Sequence, residues 1–164
     1  MAAVVVPYVA GMLHDETRRE VLACGWPTTW HCLDAADDGA YARLIERLWG
    51  HTETFVVVEQ DVVPPPDAID ELIGCRCPWC SHCYDDPGYQ RVPMLGLAKF
   101  CGQLLAETPE VATTVLRDGA RHREPVHWRQ LNERLVAHLR TRGVPWHRHI
   151  PDAAHHHREP RAPG

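Results

Sequence analysis

Residues 54–72 read TFVVVEQDVVPPPDAIDEL, and this stretch decides the fold. Phe55 to Val58 is a continuous apolar run, not an alternating one, which is how a strand covered on both faces reads. It runs straight into Glu59-Gln60-Asp61, and Pro64, Pro65 and Pro66 then forbid any continuation as a central strand. Asp67 stands where a short helix through Ile69, Leu72 and Ile73 needs a cap, and Gly74 is its stop.

Toward the N-terminus the same kind of run recurs. Val4 to Val9 (VVVPYV) is continuous and β-branched, and Trp30 to Leu33 gives a second short strand. Between them Asp15 can cap a helix through Val21 and Leu22 that stops near Gly25. After the second strand, Asp37 or Asp38 caps a helix whose apolar residues Tyr41, Leu44, Ile45, Leu48 and Trp49 form one stripe, ended by Gly50. Three strands separated by two helices make a βαβαβ pattern, so the expected class is α/β with a mostly parallel sheet flanked by helices.

Downstream, Asp85 to Gly88 reads as a loop and Arg91 to Leu95 as a strand. Leu97, Phe100, Cys101, Leu104 and Leu105 repeat the helical stripe. A further amphipathic helix is expected from about Trp128 to Arg142, with Leu131, Leu135 and Leu139 inward and Gly143 at its end. From Pro145 onward the chain is rich in Pro, His and Arg and reads as a tail with frayed last residues.

At 164 residues the expectation is a single domain. A hydrophobic share of 45% with 24% charged residues is globular composition, which argues against a disordered or fibrous chain. The net charge of -5 leaves no basic excess to neutralise a phosphate backbone, so nucleic acid is not an expected partner. No stretch approaches the roughly 18–20 apolar residues of a spanning helix. The apolar start, Met1 to Ala10, lacks a positive leader, so the expected compartment is the reducing cytoplasm. There the seven cysteines are expected as thiols or metal ligands rather than disulfides.

Chemistry concentrates at Glu59 and Asp61. In open α/β sheets ligands bind beyond the carboxyl ends of the strands. Two carboxylates at i and i+2 after a buried strand can reach one site there, and hard divalent cations want such oxygens. The alternative reading is a strand that simply turns polar where it meets water. Histidines offer further ligands near the end of the chain. In His147-Arg148-His149 the two imidazoles face the same way if the segment is extended, and His155, His156 and His157 follow.

VVVPYV, TFVVVEQDVVPPPDAIDEL and GLAKF, in that order, resemble a compact glycosyltransferase of the GT-A fold, with a Rossmann-like, nucleotide-diphospho-sugar transferase core similar to family 2. The resemblance implies a domain over residues 1–150 and a His/Pro/Arg-rich tail over 151–164. It implies Mn²⁺ or Mg²⁺ held by Glu59 and Asp61, an E-x-D variant of the family's metal motif, against the diphosphate of a UDP- or GDP-sugar. His149 or His155 would complete the metal shell. Asp34 would contact the nucleoside, with Asp37 and Asp38 as alternatives, and Lys99 would face a phosphate. The family's usual Glu-Asp pair before a late helix is missing here. Glu124 and Glu133 are the nearest candidates for the base that deprotonates an acceptor hydroxyl.

A different class of function starts from Cys75, Cys77, Cys80 and Cys83. Four thiolates in nine residues can hold Zn²⁺ or an iron–sulfur cluster, with His82 as a further ligand, and the zinc reading suggests a small zinc-binding interaction module. Cys80-x-x-Cys83 alone also has redox spacing. A third reading is a GT-A-like protein that binds a nucleotide without transferring a sugar.

Overall fold

The computed structural model describes residues 2–85, 92–118 and 124–156. The first three strands are β1 (Ala3–Val9), β2 (Thr28–Leu33) and β3 (Phe55–Val58), separated by helices α1 (Asp15–Ala23) and α2 (Ala40–His51). β1 pairs in parallel with both β2 and β3, so the βαβαβ unit forms as the apolar runs require. The continuous run of β3 has a direct cause. Phe55 and Val57 pack on one face of the sheet and Val56 and Val58 on the other, and all four are buried.

After β3 the chain makes the short strand β4 (Val62–Val63), helix α3 (Ala68–Gly74), strands β5 (Trp79–Tyr84) and β6 (Leu97–Phe100), and helix α4 (Gly102–Glu107). A π-helical turn spans Val111–Val115, and a small antiparallel ribbon joins β7 (Arg117–Asp118) to β8 (Glu124–Pro125). Helix α5 (Trp128–Thr141) and strand β9 (Trp146–His155) complete the described chain. The main sheet has the order β2-β1-β3-β6-β5-β9-β4. Helices cover both faces. Leu44, Ile45 and Trp49 of α2 pack with Leu104, Leu105, Leu131, Leu135 and Leu139 on one, while Val21 of α1 and Ile69 and Leu72 of α3 pack on the other.

Four expectations are corrected. The sheet is mixed rather than mostly parallel. β1–β2, β1–β3 and β5–β9 are parallel pairs, whereas β3–β6, β5–β6 and β4–β9 are antiparallel. Leu97 to Phe100 belongs to a strand, not to a helical stripe, because these four residues are buried between β3 and β5 and their backbone groups are satisfied by both neighbours. The segment after Pro145 is a ten-residue strand, so the chain crosses the expected boundary between residues 150 and 151 in mid-strand, with the Ile150–Pro151 peptide cis. Of the strand expected over Arg91 to Leu95, the described residues Val92 to Leu95 form no strand, and Arg91 lies outside the described residues.

The reversed strand β6 positions the site. β3 and β5 are both antiparallel to β6, so they point the same way, and β9 runs parallel to β5. The carboxyl ends of β1, β2, β3 and β9 therefore meet at one edge of the sheet.

Candidate functional site

A cleft of about 450 Å³ opens at this edge, lined by residues following β1, β2 and β3, by Tyr41 of α2 and by Trp128 at the start of α5. Asp34, Asp37, Glu59 and Asp61 line it, and among the described residues no lysine or arginine does. Tyr8 and the half-exposed Trp128 supply flat apolar walls.

Glu59 and Asp61, two residues apart, have different surroundings. Glu59 is clamped. Its Oε1 accepts from the Tyr41 hydroxyl at 2.7 Å and its Oε2 from the Tyr84 hydroxyl at 3.3 Å, while its backbone N–H donates to the Gly96 carbonyl at 2.8 Å. Gly96 is required at that approach, because a Cβ there would lie 1.9 Å from the Tyr84 hydroxyl and 2.7 Å from Glu59 Oε2. Burial pushes the Glu59 carboxyl above the usual carboxylate range, and the Asp61 charge adds to it, against the lowering effect of the two tyrosine hydroxyls. Burial also raises both phenols well above their ordinary value, and the Glu59 charge reinforces this. Both tyrosines thus remain donors at neutral pH.

Asp61 instead faces His155, with Asp61 Oδ2 3.6 Å from His155 Nε2. The His155 ring stacks on Tyr84 at 4.2 Å, and the Asp61 carbonyl accepts from the His156 N–H at 2.9 Å. Gln60, between the two carboxylates, ties the end of β3 to β1 and the loop after it. Its side-chain oxygen accepts from Val9 N–H at 2.6 Å and its carbonyl from His14 N–H at 2.8 Å. His14 stacks on His156 at 4.1 Å, and these two rings with Glu16 form one cluster able to hold a metal beside Asp61.

The other residues singled out from sequence fall as follows. Asp34 is exposed at the end of β2, lines the cleft and accepts from the Ala36 N–H at 2.9 Å. Asp37 accepts from Gly39 N–H and pairs with Arg43, while Asp38 faces His127 at 3.3 Å, so both support the entrance to α2. Lys99 is 2% exposed on β6 and donates to the Cys75 carbonyl; it does not line the cleft. Glu124 in β8 and Glu133 in α5 are exposed and do not line it either. His149 lies with Glu71 and His82, away from Asp61. His157 lies outside the described residues.

Of the four clustered cysteines, Cys75, Cys77 and Cys80 stay together, with Cys75 in side-chain hydrogen-bond contact with both others, while Cys83 contacts Arg148. Cys80 Sγ donates to the Leu72 carbonyl at 3.8 Å, and Cys83 Sγ to the Val92 carbonyl at 3.3 Å. Burial drives the Cys80 thiol far up, so it is no ready thiolate. Cys75 also gathers with His147 and His149 from β9. His149 is lowered to about 4, first by burial and then by the nearby charges of His82, His147 and Lys99. His82 is lowered by burial, against the Pro151 carbonyl bond and the Glu71 and Asp152 charges.

The contacts of Tyr41 and Tyr84 with Glu59 are not legible in the sequence, although the resemblance implies a place for Tyr84 beside the donor site. Tyr41 reads as one member of a helical stripe, and Tyr84 reaches Glu59 only because β5 and β9 fold back beside β6. No helix among the described residues is long and apolar enough to cross a membrane. The chain matches no family profile, no curated protein and no solved structure.

Proposed function

We propose that the cleft binds a nucleotide-sugar, UDP- or GDP-linked, with Mn²⁺ or Mg²⁺, and that the protein transfers the sugar to an acceptor hydroxyl. One observation carries this reading. Asp61 and His155, from the ends of β3 and β9, meet at 3.6 Å beside a cleft that no lysine or arginine lines among the described residues. Such a cleft repels a diphosphate unless a divalent cation stands between the phosphates and the carboxylates. An oxygen and a nitrogen at this separation fit one ion, whose ligand atoms sit roughly 3–4 Å apart when metal–ligand bonds are about 2.0–2.6 Å.

The ion would neutralise charge on the departing diphosphate. The chain does the rest. Asp61 and His155 hold the cation. Glu59, locked by Tyr41 and Tyr84, fixes the turn that aims Asp61 and is spent as a ligand. Asp34, exposed at the end of β2, accepts from hydroxyls of the donor. Tyr8 and Trp128 give flat surfaces for a base or a sugar ring. A second reading, binding without transfer, is favoured by the position of Glu124 and Glu133 away from the cleft, which leaves the expected base out of reach.

Calorimetry with UDP- and GDP-sugars tests the binding, with Mn²⁺ and with EDTA. Tight binding in Mn²⁺ that vanishes in EDTA supports the reading, and binding unaffected by EDTA overturns it. Release of nucleotide in the presence of candidate acceptors then separates transfer from binding alone.

A further inference from the structure

The structure assigns a second metal centre, independent of the cleft, in which Glu71 of α3, His82 of β5 and His149 of β9 hold a zinc-class divalent ion. His82 and His149 are direct partners in the parallel pairing of β5 with β9. Their rings lie 5.3 Å apart. Glu71 reaches both from the helix above, with its Oε2 3.9 Å from His82 Nε2 and 3.7 Å from His149 Nδ1. Ligands around a tetrahedral zinc with bonds near 2.0–2.2 Å stand about 3.3 Å apart, and the three ligand atoms here already lie within 4.8 Å of one another, so side-chain adjustment on binding completes the set.

The second observation is the state of His82. Its side chain is 0% exposed, its Nδ1 is 2.8 Å from the Pro151 carbonyl, and its Nε2 has no hydrogen-bond partner. A carbonyl at one nitrogen fixes the tautomer and turns the other nitrogen's lone pair toward a ligand, the usual support of a metal-bound imidazole. A buried acceptor left unpaired costs free energy, which an ion at this point removes. Two imidazoles and one carboxylate suit zinc and leave a fourth position, and Glu71, exposed, provides the way in. None of the three residues lines the cleft. The role that follows is structural, since one ion would join α3 to β5 and β9.

Cys75 and His147 offer a competing set that shares His149. His147 is exposed and neither group is a fully buried, pre-aimed ring, which favours the Glu71 set.

The test titrates the metal-stripped protein with Zn²⁺ against a chromophoric chelator, and with Co²⁺ for its spectrum. One tight equivalent should bind and depend on Glu71, distinct from any weaker binding at Asp61 or at the His14, Glu16 and His156 cluster. Glu71→Gln, an exposed change that leaves the fold intact, should weaken binding at least about tenfold. Cys75→Ser and Asp61→Asn should change it less than about threefold. The cobalt form should lack a thiolate charge-transfer band. Zinc at a hundredfold excess over its dissociation constant should raise the melting temperature by about 5–10 °C. Absence of stoichiometric binding overturns the proposal. So does a thiolate band together with loss of binding in Cys75→Ser, which would move the ion to Cys75 and His147.

Discussion

The edge of the sheet at Asp61 and the underside of α3 at Glu71 both set a carboxylate against a histidine of β9, yet they are built for different work. At Asp61 the pair borders an open cleft with aromatic walls, and a cation there has room for a second molecule. At Glu71 the pair is closed by a helix and by a fully buried His82, and a cation there has room for little more than its protein ligands. On the two proposals made above, openness, more than ligand type, separates a site that handles substrate from one that fastens a fold. The same contrast holds within the E-x-D motif. Glu59 is consumed by two tyrosines, and Asp61 keeps its carboxylate toward His155.

Asp61→Asn should have the largest effect. Mn²⁺-dependent nucleotide binding should fall by about 100-fold, or about 2.7 kcal/mol, because a neutral amide is a poor ligand for a hard cation. The melting temperature should stay within a few degrees, as measured by calorimetry and thermal melts on the same protein. Equal nucleotide affinity would erase the distinction between Asp61 and Glu59. Gly96→Ala comes next. Its methyl group displaces the Tyr84 hydroxyl and Glu59, which should destabilise the fold by about 1–3 kcal/mol in denaturant melts. Tyr41→Phe should cost about 1–2 kcal/mol, since it strips the closest donor from a half-buried carboxylate. Its nucleotide affinity should fall less than that of Asp61→Asn. A larger fall would make Glu59 the cation ligand and overturn the assigned roles.

The smallest effect is expected at Glu110, remote from both regions. Burial raises its carboxyl, but its own backbone N–H, His138 at 3.0 Å and Arg142 outweigh this, and the group is held below its ordinary value. A carboxylate lowered in the fold stabilises above its unfolded value, and that stabilisation is lost as pH falls through the folded one. Glu110→Gln should therefore destabilise by less than about 1 kcal/mol at pH 7, and the difference from the native chain should shrink in acid. Melts of both proteins across this range check it, and a pH-independent difference would refute it.

How far the sequence discloses all this depends on whether a segment's structure is local. β1, β2 and β3 show themselves because covered strands need unbroken apolar runs, and the carboxylates at the end of β3 are visible with them. β9 hides. In WHRHIPDAAH only Ala153 is buried, and neither an apolar run nor an alternation marks it. It is a strand because β5 and β4 satisfy its backbone, and those partners lie far off in sequence. β6 misleads for the related reason that LAKF followed by Leu104 and Leu105 happens to fit a helical period. Lys99 is concealed in the same way, since its burial depends on the Cys75 carbonyl brought over it by α3.

One strand carries a ligand for each of the two proposed centres. His149 and His155 are six positions apart on β9, with the pairing to β5 shifting register between them. Whatever fixes the first half of β9 restricts the sliding and fraying open to the second. Occupancy beneath α3 would then be felt as a change in cation affinity at the cleft, and thermodynamic reciprocity makes the influence equal in the opposite direction. A strand that looks like a tail thus becomes a shaft connecting two equilibria.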